Sequence, residues 1–290
     1  MIRLAVISGK GGTGKTMVAA ALADLFATGQ VLADCDVEAA NLGLLLDGEV
    51  TSSEPFMGLE KAEIDQDVCL FCGRCVDACR FDAIHEEEKE YVVDPLKCEG
   101  CGVCVWVCPS GAATMHPYQA GDVLASRTDQ GHLSHAKLYP GSGNSGLLVH
   151  EVRKQAEKMA GESRLLLADG PPGIGCPLIS TVSGMDAVVV VTEPGLSALH
   201  DLKRVVNVSR RFGVEIFVVI NRFDLEPGVC QEIERFCEDE GLRLLGKVPF
   251  DSAVVATVRR GVPITSTDSP ASKALRQIKE RLTAELDLNG

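Results

Sequence analysis

The glycine-rich segment Gly9–Thr16 limits the fold of this 290-residue chain more than any other feature. It reads G-K-G-G-T-G-K-T and fits the pattern G-x-x-x-x-G-K-[ST]. The apolar run Leu4–Ile7 precedes it and an Ala- and Leu-rich stretch from Met17 to Phe26 follows, which predicts a strand, a loop and a helix in that order. In such a loop, backbone N–H groups turn toward phosphate oxygens at the N-terminus of a helix. The segment therefore predicts a nucleotide site.

The residue types in this loop match the groups of a bound nucleotide. Lys15 is placed to neutralise the β- and γ-phosphates, and the Thr16 hydroxyl is placed to ligate Mg²⁺. The backbone of the residues between the two lysines is expected to surround the phosphates; these residues are Gly11, Gly12, Thr13 and Gly14.

Eight of the 12 cysteines form two runs with the same spacing, C-x2-C-x2-C-x3-C. In bacterial two-cluster ferredoxins this spacing lets three cysteines hold one 4Fe-4S cluster while the fourth reaches the other cluster. The ligands predicted for the first cluster are Cys69, Cys72, Cys75 and Cys108, and those for the second are Cys98, Cys101, Cys104 and Cys79. A pair of tetrahedral zinc sites, or reduced thiols in a core, is the alternative.

The region around these runs, from Gly58 to Pro117, resembles a bacterial-type ferredoxin. Pro109 follows the second run, whereas Arg80 stands where the first run would have its proline. The resemblance implies a small α+β domain at residues 59–117 that interrupts the rest of the chain.

The sequence from Lys10 to Thr16, K-G-G-T-G-K-T, resembles the deviant Walker A motif of the MinD, Mrp and nitrogenase-iron-protein superfamily. The resemblance implies that Lys10 reaches across a dimer to the partner's nucleotide. It continues at residues 31–36, where Asp36 is expected to position the attacking water, and at residues 165–173, where Asp169 is expected to contact Mg²⁺ through a water. The implied catalytic residues are thus Lys10, Lys15, Asp36 and Asp169.

Two later segments extend the same resemblance to the base of the nucleotide. Asn221 and Arg222 follow an apolar run and match a position that contacts adenine. Pro249 and Phe250 lie in a segment similar to the one that closes over the base. Taken singly, each of these residues also fits an ordinary end of a buried strand.

Cys176 lies seven residues after Asp169, a spacing at which the nitrogenase iron protein carries a cluster-ligating cysteine. A ligand or redox role for Cys176 therefore stands beside the alternative of a thiol in a switch loop.

The expected fold class is α/β, with a doubly wound, mostly parallel sheet. Because the glycine-rich loop and Asp169 lie on either side of the cysteine runs, the nucleotide-binding domain must be discontinuous, with residues 1–58 and 118–290. Residues 118–150 are rich in Gly, Ser and His and are expected to form the return path from the insert, with a mobile loop at residues 140–146 before the next helix. The apolar positions of the C-terminal stretch predict a helix docked on the core.

Charge and hydropathy exclude several classes of function. The 28 basic and 41 acidic residues give a net charge of −13, which disfavours direct binding of nucleic acid. No leader-like or membrane-spanning run of about 20 apolar residues is present, so the expected location is the cytoplasm and membrane binding is not expected. Residues 59–117 hold 12 acidic and 5 basic residues, which predicts a protein partner with a basic face.

These observations predict a Mg²⁺-dependent ATPase that binds ATP and ADP, forms a nucleotide-dependent homodimer or a heterodimer with a paralogue, and carries two 4Fe-4S clusters. Its nucleotide state is expected to gate electron transfer or redox signalling to an iron-sulfur or other redox protein. An iron-sulfur cluster carrier of the Mrp type and a positional ATPase of the MinD or ParA type are the alternatives.

Overall fold

The computed structural model describes residues 1–26, 29–195 and 197–288, and its chain divides into two compact units. Unit 1 consists of Met1–Ser53, Val123–Lys137 and Ser145–Gly290, and unit 2 of Glu54–Asp122 and Leu138–Asn144.

The strands, in chain order, are β1 (Ile2–Ser8), β2 (Gln30–Asp34), β3 (Glu49–Met57), β4 (Lys61–Ile64), β5 (Ile84–Glu87), β6 (Glu90–Val93), β7 (Ala113–His116), β8 (Gln119–Thr128), β9 (Gly131–Leu138), β10 (Leu165–Pro172), β11 (Ala187–Thr192), β12 (Glu215–Asn221) and β13 (Arg243–Val248). The helices are α1 (Lys15–Phe26), α2 (Leu42–Leu45), α3 (Arg74–Ala78), α4 (Val103–Val107), α5 (Ser145–Met159), α6 (Cys176–Val182), α7 (Ala198–Arg210), α8 (Pro227–Asp239), α9 (Ser252–Arg259) and α10 (Pro270–Glu285), with a short 3-10 helix at Ile264–Ser266.

The chain forms a nine-stranded sheet with the order β13-β12-β11-β1-β10-β2-β9-β8-β3, and its first six strands in this order lie wholly in unit 1. The strands from β13 to β9 pair in parallel. Strands β2 and β11 are buried at every position, as is typical of parallel strands covered on both faces by helices. The fold therefore confirms a mostly parallel α/β sheet, and its carboxyl edge is where ligands bind in such folds.

The C-terminal helix α10 packs on this sheet. Leu275, Ile278 and Leu282 are at most 1% exposed and lie in one apolar cluster with residues of α1. The docked helix expected from the sequence is thus present. Among the residues that the structure describes, no helix is long and apolar enough to cross a lipid bilayer.

The return path through residues 118–150 contains two strands that were not predicted from the sequence. Most of this segment forms β8 and β9, which are neighbours in the sheet and are joined by two residues. Polar side chains on these strands are satisfied locally: His135 Nε2 lies 2.8 Å from Ser126 Oγ, and the buried Ser134 Oγ donates to the Val152 carbonyl oxygen. Because serine, threonine and histidine occupy inward positions of β8 and β9, the alternation of buried and exposed residues is not evident in the sequence.

Unit 2 contains two antiparallel ladders, β4 with β7 and β5 with β6. Its two short helices start and end alike: Gly73 and Gly102 precede them with φ of 77° and 71°, and Cys79 and Cys108 follow them with ψ of 110° and 112°. The two cysteine runs thus repeat one backbone conformation, as their common spacing indicates. The apolar cluster of the unit includes Ala62, Ile84 and Tyr91 together with the cysteine residues Cys75, Cys98 and Cys104.

Candidate functional site

Lys15 is the first residue of α1 and lies at the centre of the candidate nucleotide site. Its Nζ is 2.8 Å from Asp169 Oδ1, 3.5 Å from Asp36 Oδ2 and 3.3 Å from Thr16 Oγ1. Asp169 belongs to β10, and Asp36 follows β2, the next strand of the sheet. The carboxyl ends of two adjacent parallel strands therefore bring Asp36 and Asp169 to Lys15, the first residue of α1.

The Lys15–Asp169 pair is buried, since the side chains are 6% and 0% exposed. Burial alone lowers the pKa of Lys15, but the Asp169 and Asp36 carboxylates outweigh it and raise the pKa, so Lys15 is charged. Burial raises the pKa of Asp169, and Lys15 acts in the opposite direction. A full positive charge is thus held where the phosphates are expected.

The oxygen donors here fit Mg²⁺, which binds a few protein oxygens and keeps several waters. Asp169 Oδ2 is buried and has no hydrogen-bond partner among the described residues. A buried carboxylate oxygen of this kind is costly unless a donor meets it, and a metal-bound water is such a donor. Thr16 Oγ1 and Asp169 are therefore the residues that would hold the ion.

A further residue of the site, Asp34, was not predicted from the sequence. Of the two aspartates that follow the apolar run of β2, only Asp36 was expected to have a catalytic role. Asp34 ends β2, is 0% exposed and accepts hydrogen bonds from the backbone N–H groups of Asp36, Asn41 and Leu42 at 3.1, 2.9 and 2.9 Å. Burial, and then Asp169, raise the pKa of Asp34 to about 7. The signal in the sequence was a second aspartate at the end of the same apolar run.

The glycine-rich loop packs tightly against Asn221 at the end of β12. Asn221 is 4% exposed; its Nδ2 donates to the Thr13 carbonyl oxygen at 2.8 Å, and its Oδ1 accepts from the Arg222 N–H at 3.0 Å. Gly14 has φ of +86°, and a Cβ there would clash with Asn221 Nδ2. Asn221 thus holds the loop directly, and one N–H and one lone pair of its amide remain for a ligand.

Lys10 is held within its own chain by Glu193. Its Nζ is 3.5 Å from Glu193 Oε1, while Arg222 Nη2 is 2.9 Å from Glu193 Oε2 and also donates to the Gly12 carbonyl oxygen. Lys10 and Arg222 are each 31% exposed, so both can be reached by solvent. The structure therefore brings both cations to the mouth of the glycine-rich loop.

Pro249 and Phe250 directly follow β13, beside β12 at the edge of the sheet. Phe250 is 54% exposed, and its backbone N–H donates to Asp224 Oδ1 at 2.7 Å. The Phe250 ring is therefore available to a ligand, and its contact with a base stays a prediction.

Two cavities in unit 2 are each lined by four cysteines. One is lined by Cys69, Cys72, Cys75 and Cys108, and the other by Cys79, Cys98, Cys101 and Cys104. In each cavity, three cysteines come from one run and the fourth from the other. These are the two groups of four that the spacing of the runs predicts.

The chemistry of the donor sets fits bound iron-sulfur clusters. Burial raises the pKa of Cys108, but the backbone N–H groups of Ser110, Ala112 and Ala113 and the Ser110 hydroxyl outweigh it and lower the pKa to about 7. Burial raises the pKa of Cys75 and of Cys104. The described residues contain no group of three or more His, Cys, Asp or Glu side chains placed to share a single metal ion. A four-iron cluster has its thiolate ligands on different irons, so its ligands need not meet at one point.

The remaining cysteines differ in exposure. Cys176 is exposed at the start of α6, and its Cβ is 3.2 Å from the position that a Cβ on Gly146 would take. Cys35, Cys230 and Cys237 are buried. None of the four lines either cysteine cavity.

The chain is similar to several known proteins over most of its length. A family model described as the CobQ/CobB/MinD/ParA nucleotide binding domain matches residues 4–264. An uncharacterized protein of Methanocaldococcus jannaschii is 31% identical over 284 residues, which cover 97% of this chain and 96% of that protein. An iron-sulfur cluster carrier protein of Pyrococcus abyssi is 26% identical over 306 residues, which cover 98% of this chain and 86% of the carrier.

Among solved structures, the septum site-determining protein MinD of Pyrococcus horikoshii in complex with Mg-ADP has a TM-score of 0.62 at 19% identity, and the match covers 100% of this chain and 98% of that protein. This likeness shows a shared fold. Together with the family match over residues 4–264, it establishes that the chain belongs to the CobQ/CobB/MinD/ParA family of P-loop ATPases.

Proposed function

We propose that this protein is a Mg²⁺-dependent ATPase whose nucleotide state is coupled to two 4Fe-4S clusters and gates electron transfer or redox signalling to a protein partner. The observation that carries the proposal is the pair of cavities in unit 2, each lined by four cysteines drawn from both runs. The family supplies the ATPase half of the proposal.

The nucleotide half rests on charge and geometry around Lys15. The backbone of residues 11–14 and the Lys15 ammonium would bind the β- and γ-phosphates, and Thr16 and Asp169 would hold Mg²⁺. Asp36 lies within 3.5 Å of Lys15 Nζ, so its carboxylate would face the γ-phosphate and position the attacking water. Asn221, Arg222, Pro249 and Phe250 would contact the base.

Lys10 is proposed to act on the nucleotide of a partner subunit in a dimer. Positive charge supplied in trans stabilises the charge that develops on the transferred phosphoryl group. In the single chain, Lys10 is paired with Glu193 at 3.5 Å and is partly exposed, so it is free to change partners at little cost.

For the iron-sulfur part of the proposal, the ligands of one cluster are Cys69, Cys72, Cys75 and Cys108, and those of the other are Cys98, Cys101, Cys104 and Cys79. Clusters of this type supply one-electron transfer. Cys75, Cys98 and Cys104 are each 8% exposed and lie in the apolar cluster of unit 2. Ligands that form part of a core favour clusters that stay bound, since their release would disrupt that core. All eight ligands would lie in a domain at residues 59–117. The excess of acidic residues in this domain favours a partner protein with a basic face, which we expect to meet it in the cytoplasm.

Cluster transfer to client proteins is the second candidate function. The similarity to the iron-sulfur cluster carrier of Pyrococcus abyssi over 98% of this chain favours it. In a carrier the cluster is cargo, so the ligand cysteines must release it to an acceptor.

Iron and sulfide analysis of the anaerobically purified protein tests the cysteine half. We expect about eight irons and eight sulfides per chain, since each of two clusters contains four. Cys104→Ser should lower the iron content, whereas Cys237→Ser, which changes a buried cysteine outside both cavities, should not. Iron content near zero in the wild-type protein, or equal loss in both variants, would contradict the assignment.

Mixing the loaded protein with an apo iron-sulfur enzyme separates the two candidates. A resident cluster predicts that the acceptor stays inactive and that this protein keeps its visible absorption with and without ATP. Activation of the acceptor together with loss of that absorption would establish the carrier function in its place.

A further inference from the structure

Asp34 has no role in the proposed nucleotide site, yet its carboxylate accepts three hydrogen bonds from the backbone. Its Oδ1 accepts from the Asp36 N–H at 3.1 Å, and its Oδ2 accepts from the N–H groups of Asn41 and Leu42, both at 2.9 Å. The side chain is 0% exposed, and its Cα is the register partner of Asp169 on β10.

These three N–H groups belong to the two ends of one loop, residues 35–41, which joins β2 to α2. Asp36 stands at the start of the loop, and the fully buried Leu42 begins α2 at its end. Buried backbone N–H groups need acceptors, and here one carboxylate supplies the acceptor at both ends. Asp34 therefore ties the two ends of the loop together through hydrogen bonds.

The same loop carries Asp36, whose Oδ2 lies 3.5 Å from Lys15 Nζ. A shift of about 1 Å in a positioning group is enough to slow an enzymatic step by as much as about a hundredfold. The backbone of Asp36 is thus hydrogen-bonded to Asp34, and both oxygens of Asp34 are taken up by backbone N–H groups.

We propose that Asp34 is a positioning residue for ATP hydrolysis: it holds the backbone of residues 36–42 so that the Asp36 carboxylate faces the nucleotide. This inference rests on the proposed function, which gives Asp36 the attacking water.

Burying the Asp34 carboxylate beside the Asp169 carboxylate costs free energy, because both burial and the neighbouring charge disfavour the ionised form. Burial and the neighbouring Asp169 both disfavour the charge of Asp34, and only the backbone N–H groups and Lys15 oppose them. The two oxygens of a carboxylate satisfy three N–H groups at once, which no neutral side chain of the same size can do.

Asp34→Asn is the informative substitution, because an amide of the same shape has one oxygen and one NH₂ group. Whichever way it turns, it opposes an N–H donor with a second donor, either at Asp36 or at Asn41 and Leu42. Asp24→Asn is the matched control: Asp24, on α1, also accepts two side-chain hydrogen bonds, from Gln130 Nε2 at 3.1 Å and Thr265 Oγ1 at 2.5 Å, away from the site.

Two readouts separate positioning from a merely structural role. We expect Asp34→Asn to lower kcat by about tenfold or more while KM for ATP changes by less than about threefold, as a group acting only on the transition state does. Hydrogen exchange should become faster in residues 36–42 and stay unchanged in the rest of the sheet. Asp24→Asn should show neither effect. Unchanged kcat in Asp34→Asn, or faster exchange throughout the chain with a parallel loss of stability, would overturn the proposal.

The wild-type protein provides a test that needs no variant. The amides of Asp36, Asn41 and Leu42 should exchange as slowly as those of β2, and rapid exchange at these three positions would overturn the proposal.

Asp36→Asn distinguishes failure of this inference from failure of the proposed function. If Asp36→Asn loses turnover while Asp34→Asn keeps it, only the role of Asp34 is wrong. If Asp36→Asn keeps full turnover, the proposed role of Asp36 is wrong and the role of Asp34 falls with it.

Discussion

Lys15 and Asp169 form a buried ion pair, with Lys15 Nζ 2.8 Å from Asp169 Oδ1, at the place where the glycine-rich loop meets the end of β10. The pair balances the charge of Lys15 in the free chain. With ATP bound as proposed, the phosphates would offer Lys15 a competing anion, and Asp169 would become available to a metal-bound water. The ion pair would therefore link the filling of the phosphate site to the binding of Mg²⁺.

Lys15→Met should abolish ATP hydrolysis and also destabilise the free protein. It leaves the fully buried Asp169 carboxylate without its cation, and breaking a buried pair in this way costs on the order of 3 kcal/mol. The double variant Lys15→Met/Asp169→Asn should recover most of that free energy of unfolding, as measured by urea titration without nucleotide, while remaining inactive. Equal stability of the single and double variants would show that the pair does not hold this charge balance.

Lys10→Ala should leave the free energy of unfolding within about 1 kcal/mol of the wild type, because its partly exposed pair with Glu193 contributes little. It should nevertheless lower ATP turnover. Mixing Lys10→Ala with Lys15→Met protein tests action in trans: in a mixed dimer, one site has an intact Lys15 and receives Lys10 from the other subunit. Turnover should rise on mixing, and a mixture as inactive as its components would contradict the proposed dimer.

Gly14→Ala should lower the free energy of unfolding by about 1–3 kcal/mol, since its φ of +86° disfavours a side chain and the new Cβ would meet Asn221 Nδ2. Gly11→Ala is the matched control, with no atom within 4 Å of the new Cβ in the described part of the chain, and should change stability by less than about 0.5 kcal/mol. Equal effects of both substitutions in chemical denaturation would contradict the packing of Asn221 against the loop.

Burial lowers the pKa of His135, whose Nε2 lies 2.8 Å from Ser126 Oγ, below its usual value of 6.5. As pH falls below that value, the unfolded chain takes up a proton that the native side chain refuses, so the contribution of His135 to the free energy of unfolding decreases toward pH 5. The raised pKa of Asp34 contributes in the opposite direction over the same range. The difference in the free energy of unfolding between the wild type and His135→Gln, measured by denaturant titration at several pH values, should therefore decrease toward pH 5. His132→Gln, at an exposed position of the same strand, is the control. A wild-type-minus-His135→Gln difference that does not change with pH would contradict the lowered pKa of His135.

Cys176→Ser should keep the full iron content, because Cys176 lines neither cysteine cavity. Iron analysis of the anaerobically purified variant checks this. Loss of about four irons would identify Cys176 as a cluster ligand, as the spacing from Asp169 allows, and would require a different assignment of the eight cysteines.

Sequence reasoning reached the elements whose chemistry is carried by local patterns. The strand, loop and helix around Lys15 depend on contiguous residues, and β2, β10, β11 and β12 each contain a contiguous run of buried apolar residues. Strands β8 and β9 were missed because hydroxyl and imidazole groups, rather than apolar side chains, occupy several of their inward positions.

Asp34 was missed for a different reason. Its role depends on three backbone N–H groups that only the folded loop places within reach, and nothing in the sequence distinguishes it from Asp36 two positions later. The partner of Lys10 was hidden in the same way, since Glu193 is 183 residues away in the sequence and follows β11.

An EPR-monitored redox titration of the dithionite-reduced protein, without nucleotide, with Mg-ADP and with a non-hydrolysable ATP analogue, tests the coupling of nucleotide state to the clusters most directly. We expect signals that integrate to about two spins per chain and a midpoint potential that differs between the ADP and ATP-analogue states. The absence of a cluster signal, or identical potentials in all three states, would contradict this coupling.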